Sequence, residues 1–339
     1  MKENEIEFGR FRKAIKNMAF DELQSVHEFF NTLLGYRNYT EIHTLLPDIP
    51  SDNPGIWLSE LLFRTNSQQL LIEHLKNLEE YADFVSNLKR LNLYQNILTK
   101  ICSLPPTLSV KAIFAVGHEL GIRKLTDKLK SVGVQNVTAF EKNIRSTIGD
   151  DLEFGDMFLE GMFASSISIE VTLNESFAFY PTGKRKGPDY RVKLNGNHIF
   201  VEFTRFRVDE ELRKNLTANE NLAHLSKIPY GYEQIWSRIR SKLDQLVENE
   251  INLVVLYSTH DARGQHDFRH VARNYLDDEN NEQLLKNLSG VLFAESGCAP
   301  EMWINHRTDK KFPEELIEPF RTAFLDMKYS LHLPISLHL

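Results

Sequence analysis

Apolar residues recur every three or four positions through much of the first 150 residues, and then the rhythm changes. Ile6, Phe8, Phe11, Ile15, Met18 and Phe20 open the helical spacing, and Leu23, Val26, Phe29, Phe30, Leu33 and Leu34 continue it. That period predicts amphipathic helices. A loop rich in Pro, Asp and Ser interrupts it over residues 46–55, and helical spacing returns through 58–75, 81–93 and 94–101. Pro105-Pro106 breaks the chain again. Residues 110–132 predict two short helices joined near Gly121, and 137–148 another. No repeat of fixed period and no low-complexity tract occurs. Residues 1–150 are therefore expected to form an all-α accessory domain whose aromatic and leucine positions are core.

From Asp151 onward strands and helices are expected to alternate, as in an α/β domain over residues 151–339. Residues 154–165 predict a helix with Glu160 near its middle, and 167–173 alternate as a strand. A polar loop, Gly183-Lys184-Arg185-Lys186-Gly187, leads into two alternating runs that flank Asn195-Gly196. Residues 208–226 are charged and helix-compatible. Residues 232–247 form a strong amphipathic pattern, with Ile235, Ile239, Leu243 and Leu246 on one face and Arg238, Lys242 and Gln245 on the other. The nearly unbroken apolar run 251–257 suits a strand buried on both faces. Residues 290–293 and 302–305 predict later strands, and 312–324 a final helix with Pro313 in its first turn.

The runs around Asn195-Gly196 predict a β-hairpin, because both turn residues tolerate the positive φ of a type I′ turn. Leu194 then faces Asn197, and counting outward places Asp189 opposite Glu202. Directly opposed residues have β-carbons roughly 4.5–5.5 Å apart, and two like charges so placed are destabilising. A cation between them, or a proton on one, relieves the repulsion. Ile199, Val201 and Phe203 alternate onto an apolar face with Tyr190, Val192 and Leu194. Arg191, Lys193, His198, Phe200 and Thr204 share the face of the two acids, so a divalent-metal site on a mostly polar face is the inference.

Composition narrows the setting. The 339 residues are 42% hydrophobic and 26% charged, as in a globular protein. No apolar run is long enough for a membrane span, and the charged start Met1-Lys2-Glu3-Asn4-Glu5 lacks the apolar stretch of a signal peptide. Cys102 and Cys298 are the only cysteines, which excludes a disulfide framework and fits a reducing cytoplasm. The net charge of −7 has the wrong sign for non-specific coating of nucleic acid. Locally, residues 184–214 carry nine basic against five acidic residues, two of the acids being Asp189 and Glu202. A positive surround beside carboxylates suits a phosphodiester.

Pro188-Asp189, a hairpin, and then Glu202-Phe203-Thr204 after an apolar strand start together resemble the motif of the PD-(D/E)XK, or restriction-endonuclease-like, nuclease superfamily. The resemblance covers about residues 151–310. It implies an αβββαβ core with a mixed sheet, and hydrolysis of phosphodiester bonds with Mg²⁺ or Mn²⁺. It implies Asp189, Glu202 and the backbone carbonyl of Phe203 as metal ligands, with Glu160 added from the first helix; Glu170 is the rival position. The superfamily's catalytic lysine falls on Thr204, which can hydrogen-bond a water but carries no charge. Lys242 is the best substitute, with Gln245 on nearly the same face. Lys193 lies four residues from Asp189, roughly 13 Å along a strand.

Lys184, Arg185, Lys186, Arg191, Lys193 and Gln245 are the expected substrate-binding residues. DNA is the expected substrate ahead of RNA. The helical half would serve recognition or a protein partner, and a homodimer is left open. The competing expectation is a nuclease-like fold that has lost catalysis and binds nucleic acid or protein. His260, Asp261, His266, Asp267 and His270 lack a third ligand at zinc spacing. No phosphate-binding P-loop, dinucleotide GxGxxG turn or GxSxG elbow occurs.

Overall fold

The computed structural model describes residues 2–35, 106–148, 151–170, 178–179, 188–194, 197–206, 231–258, 264–295 and 299–330. The helices expected over 58–101, the charged segment 208–226 and the hairpin turn Asn195-Gly196 lie outside the described residues. The chain divides into two compact units. One gathers residues 1–124, 144–154 and 332–339; the other gathers 125–143 and 155–331.

In the first unit, helices α1 (Lys2–Asn17), α2 (Phe20–Gly35) and most of α3 (Pro106–Ser131) follow the apolar spacing. Phe11, Ile15, Leu23 and Val26 are buried, which is why the period is helical. Residues 106–131 make one continuous helix, not two, and Gly121 sits buried within it. Burial of the flanking apolar residues outweighs the weak helix propensity of one glycine. Arg123 donates to the carbonyls of Ile15, Lys16 and Met18 at the end of α1, and its Nε donates to buried Glu119 at 3.0 Å. Arg145 takes the other Glu119 oxygen at 2.5 Å.

The second unit is α/β. Helices α4 (Val137–Ser146, its last residues falling in the first unit) and α5 (Asp151–Glu170, mostly in the second) precede a six-stranded mixed sheet. Its strands are β1 (Ala178–Phe179), β2 (Tyr190–Leu194), β3 (Asn197–Phe206), β4 (Ile251–Ser258), β5 (Gly290–Glu295) and β6 (Glu301–Ile304), and their order across the sheet is their order in the chain. β1 pairs with β2 and β2 with β3 antiparallel, β3, β4 and β5 run parallel, and β6 returns antiparallel. The parallel crossovers carry α6 (Gly231–Leu243) and α7 (Gly264–Val271), and α8 (Ile317–Ser330) ends the described chain.

The strand expected at residues 167–173 is corrected. Residues 167–170 continue α5, and 171–173 lie outside the described residues. Ile167 stands one helical turn after Phe163 and is fully buried like it, so the helix extends its apolar face at the expense of local β preference. Two helix ends also move. α6 stops at Leu243, and Pro313 precedes a 3₁₀ turn (Glu314–Leu316) in extended conformation, with α8 following.

Opposed residues in parallel strands share a face, so the register sorts the sheet's two sides. Glu202 pairs with Val254 and Thr204 with Leu256. That side packs Ile235 and Ile239 of α6 and Phe268 of α7 against Val254, Leu256 and Phe293. Phe203 and Tyr257 lie on the other side, where Phe203 stacks on Phe324 at 6.4 Å and Tyr257 on Phe324 at 6.0 Å. Phe163 of α5 joins them, 4.7 Å from Phe324 and 5.9 Å from Phe203. Gly161 allows α5 its close approach: a β-carbon there would stand 2.6 Å from the ring of Phe140 and 2.8 Å from Leu125. The central strand is covered on both sides.

Asn252 fastens the end of the α6 crossover. It is fully buried, and its amide donates to the carbonyls of Val247, Glu250 and Asn287 at 2.8, 3.0 and 2.9 Å. Its Oδ1 accepts the Val247 N–H at 2.9 Å, and Asn249 supplies the left-handed residue (φ 59°) that the turn requires.

Candidate active site

The hairpin register is as expected. Leu194 pairs with Asn197, Lys193 with His198, Val192 with Ile199, Arg191 with Phe200 and Tyr190 with Val201. The ladder ends there, so the expected direct opposition of Asp189 and Glu202 is corrected: Asp189 stands just before β2 and is bonded to the residues on either side of Glu202. The Asp189 N–H bonds the Val201 carbonyl at 3.0 Å. Asp189 Oδ2 accepts the Phe203 N–H at 2.7 Å, so the carboxylate replaces the strand that would otherwise continue there. The N–H and C=O of one strand residue leave it on the same side. The carbonyl of Phe203 is therefore turned toward Asp189 as well.

Glu202 is 1% exposed, in the middle of a strand covered by α6. Lys242, in the last turn of α6, donates to Glu202 Oε1 at 2.5 Å. Glu202 Oε2 is buried with no hydrogen-bond partner. Such an oxygen costs free energy unless something else satisfies it. Burial, and then the charge of Asp189, push the Glu202 carboxyl up to about 7 against the pull of Lys242. Burial raises Asp189 to about 6, against its bond from Phe203 and the charge of Lys242. Glu160, half-buried on α5, is held well above the usual carboxylate range, by burial first and then by Asp189 and Glu202.

Four of the residues expected at the site, Glu160, Asp189, Glu202 and Lys242, thus act on one another. Asp156 joins them one turn before Glu160 and adds negative charge beside it. Asp156 escaped the sequence reading, although the i, i+4 spacing with Glu160 puts both on one helix face. Thr204 is buried on the Glu202 side of β3. Gln245 is corrected. It lies in the turn after α6, where its N–H bonds the Lys242 carbonyl at 3.0 Å, so it does not extend the lysine's helix face.

Of the remaining candidates, Arg191 is half-buried opposite Phe200. Lys184, Arg185 and Lys186 lie outside the described residues, as do the side chains of Lys193 and Glu170. On the mostly polar hairpin face, Phe200, Glu202 and Thr204 are all buried. His260 and Asp261 lie outside the described residues. His266 is 87% exposed, and His270 rests on the ring of Tyr232 at 4.4 Å.

The chemistry of the donors fits a hard dication: carboxylates, a strand carbonyl, and a buried oxygen left bare. Among the described residues, however, no three His, Cys, Asp or Glu side chains are gathered closely enough to chelate a metal as they stand. No described helix is long and apolar enough to cross a membrane. No family model, curated protein or solved structure matches this chain.

Proposed function

We propose that the chain is a divalent-metal-dependent nuclease of restriction-endonuclease-like fold that hydrolyses phosphodiester bonds, with DNA as the favoured substrate. One observation carries the reading. Asp189 is fixed on the Phe203 N–H beside Glu202, whose one oxygen holds the Lys242 ammonium while the other is buried and bare. The order α5-β1-β2-β3-α6-β4 supports it, being the αβββαβ succession that the motif implies.

Asp189, Glu202, the Phe203 carbonyl and Glu160 would hold Mg²⁺ or Mn²⁺. When bound, the ion supplies charge neutralisation at the phosphate and acidifies water. Lys242 brings the positive charge that Thr204 cannot, from a helix instead of from β3, and would face the negative charge that develops on the phosphoryl oxygens. Thr204 offers a hydroxyl on the same side. One water is consumed: its hydroxide ends on phosphorus, and its proton on the departing sugar oxygen. The helical half would recognise substrate or a protein partner, in a cytoplasmic setting such as restriction, repair or defence.

Thr204 at the lysine position favours a second reading, a binding module that keeps the fold without catalysis. Cleavage of plasmid, single-stranded DNA and RNA with Mg²⁺ or Mn²⁺ tests the first. Metal-dependent cutting that disappears in Glu202→Gln is expected. No cutting by the wild type, with metal bound, would favour the binding module.

A further inference from the structure

Resting on the metal-site reading, we infer that Lys242 is a tethered counter-ion: its ammonium occupies Glu202 in the metal-free protein and is released when a divalent cation takes the site. The geometry requires a choice. Nζ stands 2.5 Å from Glu202 Oε1, and Oε2 of the same carboxylate is buried without a hydrogen bond. A metal bound there would lie within a few ångströms of the ammonium. Repulsion between a dication and a monocation so close works against their sharing one carboxylate.

The surroundings favour exchange over cohabitation. Lys242 keeps 20% of its side chain exposed while Glu202 keeps 1%, so the lysine can swing outward and the carboxylate cannot. Lys242 also sits in the last turn of α6, at the edge of the packed helix, and a lysine stem has four rotatable carbons on which to move. The exchange couples two events. Loading the metal frees the cation that can then meet the phosphate, so substrate grip follows metal occupancy.

Calorimetric titration with Mn²⁺ at pH 8, without nucleic acid, tests the exchange on wild type, Lys242→Met and Lys242→Arg. The Met variant should bind at least about tenfold tighter, a difference of ~1.4 kcal/mol, and the Arg variant should stay close to wild type. Equal or weaker binding by the Met variant overturns the inference. A readout on the wild type alone removes dependence on a variant that folds poorly. Mg²⁺ should raise the rate at which an amine-reactive ester labels Lys242 several-fold, followed by peptide mass spectrometry; an unchanged rate overturns the inference. Exchange without nucleic-acid cleavage would keep the inference and sink the nuclease reading. Cleavage with Lys242 labelling unmoved by metal would do the reverse.

Discussion

Asp189 accepts the backbone N–H of Phe203 at 2.7 Å, so a carboxylate just before one strand takes the place of a ladder bond on the next. The side chain thus has two separable duties, an acceptor for the strand and a charge for the site. Asp189→Asn keeps an acceptor oxygen and removes the charge. It should leave stability within about 1 kcal/mol of wild type while Mn²⁺ affinity falls at least tenfold. Asp189→Ala should lose both, with destabilisation of about 1–3 kcal/mol from the orphaned N–H. Urea denaturation and calorimetry separate them, and equal destabilisation by both variants would show that the charge itself supports the fold.

The pH dependence of stability follows from the raised carboxyls. Glu202 is pushed to about 7 and Asp189 to about 6, above their ordinary values of 4.5 and 3.8. The folded protein therefore holds protons that the unfolded chain has lost, and the contribution of these groups to stability falls as pH rises through this window. The loss between pH 5 and 8 should be on the order of a few kcal/mol in the metal-free protein. Glu202→Gln should flatten the slope, and saturating Mg²⁺ should restore stability at pH 8. Urea midpoints at the two pH values check this; a wild-type slope no steeper than that of the variant would refute it.

Phe163 anchors the helix that carries Glu160. It is fully buried, and its ring lies 4.7 Å from Phe324 and 5.9 Å from Phe203. Phe163→Ala should cost about 3–5 kcal/mol. Phe163→Leu should cost less and still weaken Mn²⁺ binding, because Glu160 sits one turn away on the same helix. Denaturation and calorimetry on the Leu variant give the answer, and unaltered metal affinity would free Glu160 from any role as a ligand.

Asn252 makes a prediction of sign as well as size. Its amide faces three carbonyl oxygens, and a carboxylate there would face them with no proton to donate. Asn252→Asp should therefore destabilise more than Asn252→Ala at pH 8, by roughly 3 kcal/mol or more relative to wild type. The gap between the two variants should close as the pH falls and the acid gains a proton. Urea denaturation across pH reads this directly.

What could be seen in the sequence divides along physical lines. The hairpin register was legible from Leu194–Asn197 to Tyr190–Val201, because a period of two fixes each pair once one is placed, and it stops short of Asp189. The buried strand 251–258 was legible from its apolar run, and Lys242 from its place on the polar side of a regular helix. Residues 167–170 were misread because alternation of Ser and Ile looks like a strand, and only the core behind Phe163 decides otherwise. Gln245 was misplaced because no residue of the pattern marks the end of α6 at Leu243; the grip of Asn252 on the following turn does. Asp156 needed only the helix period, but nothing local distinguishes it from a surface acid. Burial on both sides of β3 depends on helices distant in the chain, and so the polar-looking face gave no hint of it.

The grip of Asn252 has one more effect. Glu202 is bonded in register to Val254 of β4, and Asn252, two residues earlier on that strand, clasps Val247 just beyond the helix that bears Lys242. Carboxylate and ammonium are forty residues apart in the chain, yet both are measured off the same short length of β4. The strand acts as a shared ruler. A displacement of β4 would therefore carry the backbone at both ends of the pair with it.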